Sequence, residues 1–316
     1  MTNKIVIKRK IMGGFFTVQT WANDNHSKKI STKLINLALD RAVEIERKLT
    51  DFYPSPFNQI NENAGIKPVE VDTEILNLIL RANKISQDTE GAFDISYASV
   101  GHLWRKARQN GILPQKNEID QARFFINYKL IEINERAQTV YLPDRRMKIG
   151  LGGIGKGYAV DKVYEYLLEN GLSNFLVDGS GDIRVQSAKD APRDWTLGIK
   201  NPFSKSEKTV GFVKLKEGSL ATSGDYNQYI KNLEEDRKYH HIINPEEGYP
   251  SVDFASVTLI GSTTIETDTY ATALMTMTKT KALKIIERIP MKAILIETNG
   301  KVLLNKPAYQ MLKGAA

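Results

Sequence analysis

A glycine-rich stretch at 150–160, GLGGIGKGYAV, has the composition of a phosphate-binding loop. Glycines that lead into a helix expose backbone N–H groups at its positive end, and Lys156 adds a positive charge. The stretch matches neither common phosphate loop. Gly157 stands where a P-loop has its Mg²⁺-binding hydroxyl, and Asn174 stands where a dinucleotide fold has an acid. From these residues alone, a tight turn packed against a sheet is the alternative.

The stretch TIETDTYATALMTM (264–277) contains a carboxylate and a hydroxyl at the spacing of metal ligands. Asp268 and Thr272 are four residues apart, so a helix places them on one face, one turn from each other. Mg²⁺ prefers oxygen ligands of this kind. Taken alone, Asp268 could instead interact with the helix dipole, and Thr272 could hydrogen-bond to the preceding turn.

Three further stretches carry side chains that could bind a ligand or move a proton. Asp94 lies in GAFDIS, Asp225 follows two hydroxyls in a predicted turn at 219–229, and a histidine pair leads into a predicted strand at 239–250. His241 and Asp225 are both candidates for a general base, since either side chain can accept a proton from a hydroxyl. The chain has no cysteine, which excludes disulfides, thiol catalysis and Cys-ligated zinc.

The periodicity of apolar residues predicts the elements that must position these side chains. Strands are predicted within 4–21, with a turn near Gly13, and at 175–186, 195–200, 210–215, 240–243 and 252–261. Helices are predicted at 28–49, 73–88, 157–170, 266–279 and 280–287. Because strands and helices do not alternate regularly, we predict an α+β fold with mixed or antiparallel sheets flanked by helices. We expect a single domain, 1–316, which could divide into sub-lobes at about 1–145 and 146–316.

Composition narrows the classes of partner. The net charge of +7 is dispersed and no segment interleaves basic and aromatic residues, so we expect no nucleic-acid partner. The charge fits a solvated surface or an anionic ligand. No run of 18 apolar residues occurs, so no membrane-spanning helix is expected. The first residues alternate like a strand and lack the apolar region of a signal peptide. We therefore expect no signal peptide within these residues, and any leader would have been removed from in front of them.

Taken in order, these stretches resemble the ApbE family, the FAD:protein FMN transferases. The resemblance runs through MGG (12–14), SPFNQIN (55–61), GAFD (91–94), LGGIGKGYAVDK (151–162), GSGDIRV (179–185), DWTLGIKNP (194–202), LATSGDY (220–226), HIINPEEGYP (241–250) and ETDTYATAL (266–274). It implies an ApbE-like, T-fold-like architecture. It also implies Mg²⁺-dependent transfer of FMN from the substrate FAD to a Thr or Ser hydroxyl of an acceptor protein, with release of AMP. Two alternatives stay open: a pyrophosphatase that hydrolyses FAD to FMN and AMP, and a flavin-binding protein without turnover.

The same resemblance implies the roles of individual residues. Metal ligands would be Asp268 and Thr272, together with main-chain oxygens of Gly155 and Ala271. Contacts to the flavin nucleotide would come from Met12, Ala92, Phe93, Asp94, Gly152, Lys156, Tyr158, Thr222, Ser223 and His241, with Phe52 or Tyr53 stacking on the flavin ring. Lys156 would hold a phosphate during catalysis, and His241 or Asp225 would take the proton of the acceptor hydroxyl.

The sequence departs from the family pattern near the glycine stretch. Gly150 replaces the usual Asp, which removes a carboxylate close to the implied metal, and Gly155 replaces the usual Ala. Asp51 falls in register with the usual Tyr of the family.

The resemblance also implies a partner and a location. Members of the family act outside the cytoplasmic membrane on respiratory flavoproteins, so the expected acceptor is a redox subunit. Contact with the membrane is expected only through a lipid anchor that has been removed. We expect the periplasmic side of the cell envelope if a leader was removed, and the cytoplasm otherwise.

Overall fold

The computed structural model describes residues 4–22, 26–204, 208–224, 229–232 and 237–313. Within these ranges the strands are β1 (Lys4–Ile11), β2 (Gly14–Trp21), β3 (Val69–Glu70), β4 (Glu132–Asn134), β5 (Thr139–Tyr141), β6 (Phe175–Gly179), β7 (Asp182–Gln186), β8 (Trp195–Lys200), β9 (Thr209–Leu215), β10 (Gly218–Gly224), β11 (Tyr229–Asn232), β12 (Arg237–His240), β13 (Phe254–Gly261), β14 (Lys292–Glu297) and β15 (Val302–Leu304). The α-helices are α1 (Lys28–Leu49), α2 (Asn58–Glu62), α3 (Thr73–Asp88), α4 (Ala98–Asn110), α5 (Lys116–Arg123), α6 (Gly155–Glu169), α7 (Thr264–Thr276), α8 (Lys279–Ile286) and α9 (Lys306–Lys313).

An eight-stranded antiparallel sheet lies at the centre of the fold, with strand order β1-β2-β6-β7-β10-β13-β14-β15. Strand β13 is buried along Phe254–Ile260, on both of its faces. A strand with this pattern needs a covering layer on each side of the sheet. Smaller antiparallel sheets with strand orders β3-β5-β4, β8-β9 and β11-β12 lie outside the main one.

Each face of the main sheet has its own covering layer. Helices α1, α6 and α7 pack over one face, where Val257 and Leu259 belong to the larger core. The opposite face carries Ile260 and is covered by the β8–β9 hairpin and α9, through Trp195 and Ala308. Neighbouring residues of a strand point to opposite faces, so Leu259 and Ile260 enter different layers.

The long helices follow from the spacing of their apolar residues. In α1, the buried residues Ile35, Leu39, Ala42 and Ile45 recur every three or four positions and face the sheet. Helix α3 has a similar stripe and begins at Asp72, whose Oδ1 accepts the Ile75 N–H at 2.9 Å. Both helices therefore form where the sequence predicts them.

The observed architecture is the predicted α+β fold, with several local differences. The segment at 219–229, predicted as a turn, is extended at its start and forms β10, because Ser219 and Ala221 are buried between two neighbouring strands. The strand predicted at 240–243 ends at His240. Helices α2, α4, α5 and α9 lie outside the predicted helices. The sub-lobes stay a prediction, and the main sheet takes strands from both sides of residue 145.

None of the helices in the described ranges combines the length and the apolar character needed to cross a membrane.

The carboxylate of Glu74 joins three helices on the sheet face that carries α6. Glu74 on α3 forms ion pairs with Arg41 and Lys48 of α1, with Lys48 Nζ 2.7 Å from Oε2, and it accepts the Tyr158 hydroxyl of α6 at 2.7 Å. Burial alone would raise the pKa of Glu74, but the hydrogen bonds from Lys48, Tyr158 and Arg41 lower it to about 2. The group is therefore ionised and stabilising at neutral pH.

We predict that Glu74→Gln lowers the free energy of unfolding by about 1–2 kcal/mol at pH 7. A depressed carboxyl pKa contributes stability above its unfolded value, here 4.5, and the contribution is lost as the pH falls toward about 2. The difference between the two proteins should therefore shrink below about pH 4.5, as measured by urea unfolding at several pH values. The control is Glu44→Gln, whose exposed carboxylate pairs with the same arginine and should cost under about 0.5 kcal/mol. A difference that stays constant down to pH 3 would contradict the assignment.

Candidate active site

The start of α6 and the first turns of α7 meet at one close contact. The Gly157 N–H donates to Asp268 Oδ2 at 2.9 Å. A methyl group placed on Gly157 would lie 2.6 Å from the Thr264 carbonyl oxygen and 2.8 Å from the Asp268 Cβ. Only glycine leaves room for this approach. The hydroxyl that a P-loop would carry at position 157 is therefore excluded by packing against α7.

Asp161 of α6 holds the first turn of α7. It lies one turn after Gly157, and its two carboxylate oxygens accept the N–H groups of Thr264 and Ile265, both at 2.9 Å. These are first-turn N–H groups, which α7 does not satisfy with a side chain of its own cap residue. Arg184 on β7 pairs with Asp161 at 2.6 Å. The start of α7 is thus held in place by α6 and the sheet.

Lys156 lies between two buried carboxylates. Its ammonium forms an ion pair with Asp182 at the start of β7. Burial opposes the charged ammonium, but the charges of Asp182 and Asp268 outweigh this and raise the pKa of Lys156 above its usual range. Burial, reinforced by the charge of Asp182, raises the pKa of Asp268 to about 7. Two carboxylates therefore share one ammonium, which leaves an excess of negative charge that a bound cation would neutralise.

The loop before α6 contacts the second predicted metal ligand. A methyl group on Gly153 would lie 3.0 Å from Thr272 Cγ2 and 3.1 Å from Phe93 Cε2. The Thr272 hydroxyl lies 3.2 Å from the Ser223 hydroxyl on β10. Ser223, Thr272, Gly153 and Phe93 thus lie in one continuous set of contacts. Gly155 lies between Gly153 and Gly157, so the structure brings the glycine stretch against both side chains of the predicted metal pair.

The donor set at this contact fits a hard divalent cation. Asp268 Oδ2 is used by Gly157, whereas Oδ1 has no hydrogen-bond partner within the described part of the chain. The Thr272 hydroxyl is half-buried on the same helix face, and Ala271 between them is fully buried. Within the same ranges, no group of three or more His, Cys, Asp or Glu side chains could hold a metal. The predicted metal pair supplies one carboxylate, and hydroxyl and main-chain oxygens would complete the site.

Met12 lies in the tight turn between β1 and β2. Met12 and Gly13 have φ values of 53° and 73°, the left-handed pair of a two-residue hairpin turn. This conformation is unfavourable for a methionine, and the Met12 N–H is held by Glu46 Oε1 at 2.7 Å. The Phe15 N–H next to this turn donates to the Ser180 hydroxyl at 2.8 Å, two residues before Asp182. The predicted contact Met12 is thereby placed close to the β6–β7 turn that holds Lys156.

Three other residues that are predicted to contact the flavin form hydrogen bonds within the protein. The Ala92 carbonyl accepts the Thr276 hydroxyl at 2.8 Å, which ties the GAFD segment to the end of α7. Asp94 is buried; its Oδ1 accepts the Ser96 N–H and its Oδ2 accepts the Tyr128 N–H, both at 2.8 Å. Burial raises the pKa of Asp94. The Tyr158 hydroxyl is bound to Glu74, so only the ring of Tyr158 remains for a ligand. Their roles toward a flavin stay predictions.

The other end of the glycine stretch contacts the 51–53 loop. A methyl group on Gly150 would lie 3.2 Å from Asp51 Oδ2. A carboxylate therefore lies beside position 150, although glycine replaces the acid that the family pattern has there. The next two residues, Phe52 and Tyr53, are 67% and 51% exposed and could stack on a planar ring.

Thr222 lies on a different sheet face from its neighbour Ser223. Its hydroxyl lies 2.9 Å from that of Thr258 across the strand pair. Ser223 reaches α7, so its neighbour Thr222 points to the opposite face of the sheet, the side covered by the β8–β9 hairpin. The Thr222 side chain is thus on the sheet face opposite α7, and its role toward a flavin stays a prediction.

His241 and Asp225 are the two candidates for a general base, and the structure describes only His241. Asp225 lies outside the described residues. His241 follows β12 and is half-buried. Its neighbour His240 has a structural role, because Nδ1 accepts the Ile242 N–H at 3.2 Å and Nε2 lies 2.7 Å from the Ser251 carbonyl oxygen. Catalysis by His241 or Asp225 stays a prediction.

The segment that follows His241 is anchored to α4. The Trp104 Nε1–H donates to the Gly248 carbonyl at 2.8 Å, and its ring stacks on Tyr239 at 5.2 Å between centroids. These contacts fix both ends of the segment in which His241 lies.

Sequence reasoning missed two carboxylates that shape the site. Asp182 and Asp161 lie inside stretches that carry the family resemblance, yet neither was assigned a role. Asp161 is four residues after Gly157, a spacing that places both on one helix face. Asp182 follows the Ser180–Gly181 turn, which mirrors the Met12–Gly13 turn in its left-handed φ values.

Comparisons with known proteins identify relatives along most of the chain. The sequence profile of the ApbE family matches residues 12–295. The FAD:protein FMN transferase of Klebsiella pneumoniae is 27% identical over 250 residues, which cover 78% of this chain and 77% of the relative. The protein of the same name from Escherichia coli K12 is 24% identical over 308 residues, covering 95% and 86%.

Solved structures share the fold. The ApbE protein of Thermotoga maritima superposes with a TM-score of 0.87 at 25% identity, over 98% of this chain and 99% of that protein. The flavin transferase ApbE of Vibrio cholerae gives a TM-score of 0.82 at 21% identity, over 98% and 100%. The family profile covers nearly the whole length of the sequence, and the chain belongs to the ApbE family.

Proposed function

We propose that this protein is an enzyme that transfers FMN from FAD to a hydroxyl of an acceptor protein and releases AMP. The observation that carries the proposal is the contact between Gly157 and Asp268, which joins the glycine stretch to the carboxylate of α7 in a chain of the ApbE family. Family relatives named FAD:protein FMN transferase support the reaction type. The proposal extends this to a Thr or Ser acceptor and to Mg²⁺ as the metal.

Asp268 and Thr272 would hold the Mg²⁺, with main-chain oxygens of Gly155 and Ala271. When bound there, the metal would neutralise charge on the diphosphate of FAD. Two observations support this metal site. One is the buried excess of negative charge among Asp182, Asp268 and Lys156, and the other is the pair of oxygen donors, Asp268 and Thr272, on one face of α7.

The chain's own groups position the substrate and balance its charge. The backbone N–H groups at the start of α6 lie at the positive end of the helix, where phosphate oxygens bind favourably. Lys156 is bound to Asp182, so it acts on the charge balance around Asp268 rather than as a free phosphate ligand. Gly153 is packed between Phe93 and Thr272, and a side chain at this position would push them away from the glycine stretch.

The transfer step requires removal of one proton. The acceptor hydroxyl oxygen attacks the phosphorus of the FMN half, the bond to the AMP phosphate breaks, and AMP leaves with the electron pair. The hydroxyl proton passes to a general base. We propose His241 for this role, with Asp225 as the alternative, because the segment that contains His241 is held on α4 beside the 51–53 loop.

We also propose a respiratory redox subunit as acceptor and an extracytoplasmic location. Both are supported by what membership of the ApbE family implies. Fractionation of cells that carry a tagged copy would test the location, and a signal confined to the cytoplasm would contradict it.

The reaction is tested by incubating the pure protein with FAD and Mg²⁺, with and without an acceptor domain that exposes a Thr or Ser. We expect AMP release together with a fluorescent flavin band that survives denaturing electrophoresis of the acceptor. An acceptor lacking the hydroxyl should stay unlabelled, and chelation with EDTA should stop both products. AMP release without labelling would favour FAD hydrolysis, and flavin binding without AMP would favour a non-catalytic protein.

We predict that Asp268→Asn lowers Mg²⁺-dependent FAD turnover on the order of a thousandfold. Asparagine keeps an oxygen for the Gly157 N–H but removes the charge, so the helix contact should survive. Mg²⁺ should raise the melting temperature of the wild-type protein and leave that of the variant unchanged. Glu266→Gln, on the exposed side of the same helix, is the control and should behave like wild type. Normal turnover by Asp268→Asn would show that the metal site lies elsewhere.

We predict that His241→Ala lowers kcat at least about a hundredfold, because general-base catalysis contributes on this scale. The dissociation constant of FAD, measured by flavin fluorescence, should change less than about threefold. His26→Ala is the control, since His26 lies beside Asn170 at the far end of α6. Equal losses in turnover and in FAD affinity would assign His241 to binding instead.

A further inference from the structure

The tyrosine that precedes α4 and two arginines on one face of that helix are not used by the site described above. Tyr97, Gly101, Arg105 and Arg108 follow each other at spacings of four, four and three residues, so they lie along one side of the helix. The Tyr97 ring packs over Gly101, where a methyl group would lie 2.9 Å from Tyr97 Cε2. The absence of a side chain at position 101 lets the tyrosine lie along the helix surface.

This face of α4 adjoins the N-terminal end of the glycine stretch. A methyl group on Gly152 would lie 2.8 Å from the Tyr97 hydroxyl oxygen, which has no hydrogen-bond partner in the described ranges. Arg105 Nη2 donates to Asp51 Oδ2 at 2.7 Å, and its guanidinium lies 3.8 Å from the centre of the Phe52 ring. The tyrosine hydroxyl therefore lies beside Gly152, and Arg105 is held by Asp51, whose carboxylate lies beside Gly150.

The cluster has an excess of positive charge. Asp51 neutralises Arg105, but Arg108 has no ion-pair partner among the described residues, and its Nη1 is buried without a hydrogen bond. Burial lowers the pKa of Arg108, Tyr97 opposes this, and the charge of Arg105 lowers it further. A buried guanidinium nitrogen without a partner is costly unless an anion binds to it.

We propose that Tyr97, Arg105 and Arg108 form an oxyanion subsite that binds a phosphate of the nucleotide lying on Gly152. The proposal rests on the proposed function, because it assigns this phosphate to the AMP that leaves during transfer. Planar guanidinium groups and a hydroxyl match the donor geometry that phosphate oxygens accept. Lys156, the cation within the glycine stretch, is already bound to Asp182.

The position of the subsite suits a leaving group. Cleavage of a diphosphate gives the released monophosphate an additional negative charge near neutral pH. Donors fixed in advance where that charge develops stabilise the transition state more than the substrate. The negative charge that develops on the AMP phosphate during cleavage would pair with Arg108, for which the described residues provide no counter-charge.

The experiment measures binding of AMP, inorganic phosphate and adenosine to the full chain by calorimetry, so it needs no turnover. We expect Arg108→Gln to weaken AMP binding at least about tenfold, to weaken phosphate binding likewise, and to leave adenosine unchanged. Tyr97→Phe should weaken AMP by about threefold. Lys106→Gln, an exposed cation on another side of α4, is the matched control and should bind AMP as the wild type does. The ligand-free Arg108→Gln protein should melt at or above the wild-type temperature, because the substitution removes an unpaired buried charge.

Two results would overturn the proposal. The first is AMP and phosphate binding by Arg108→Gln that equals wild type. The second is an Arg108→Gln protein in which the KM for the acceptor protein rises and AMP binding is unchanged. That result would assign the arginines to binding an acceptor carboxylate. Failure of the proposed function can be told apart from failure of this proposal. A protein without FAD turnover can still bind AMP through Arg108, and an active transferase can bind AMP without using Arg108.

Discussion

The close approach of α6 and α7 at Gly157 and Asp268 is the constraint on which the rest of the site depends. A hydrogen bond of 2.9 Å joins the two residues, and a side chain at position 157 would collide with the backbone of α7. This packing turns the carboxylate of Asp268 toward the first turn of α6. Asp161 secures the same geometry by binding two N–H groups of α7. The sheet and its covering helices serve to hold this pair of helix ends together.

The glycine stretch separates two regions of opposite charge. At its C-terminal end, Asp182 and Asp268 share the single ammonium of Lys156, which leaves an excess of negative charge. At its N-terminal end, Asp51 pairs with Arg105, whereas Arg108 has no ion-pair partner among the described residues, which leaves an excess of positive charge. A diphosphate with a divalent cation at one end complements this polarity. Both regions are partly desolvated, so the interactions are stronger than they would be in water.

Part of this arrangement could be predicted from the sequence. The i, i+4 spacing of Asp268 and Thr272 gave the shared helix face, and the apolar periodicity gave α1, α3 and α6 to within about two residues. The small polar residues of the β10 segment are typical of a turn, and only burial between β7 and β13 makes it a strand.

Other features depend on contacts between distant segments and leave no local pattern. The pairing of Lys156 with Asp182 and the cap of α7 by Asp161 join residues that are 26 and about 100 positions apart. Helix α4 was missed because Gly101 and the charged residues near its end weaken the apolar stripe. Gly150 lies beside the carboxylate of Asp51 from another loop, which only the folded chain shows.

The most direct test is a crystal structure with FAD and Mn²⁺, recorded at a wavelength where manganese scatters anomalously. The anomalous peak should lie roughly 2.0–2.3 Å from an oxygen of Asp268 and from the Thr272 hydroxyl, and the FAD diphosphate should lie against the glycine stretch. A manganese peak remote from Asp268, or a diphosphate bound away from Gly153 and Gly155, would contradict the account.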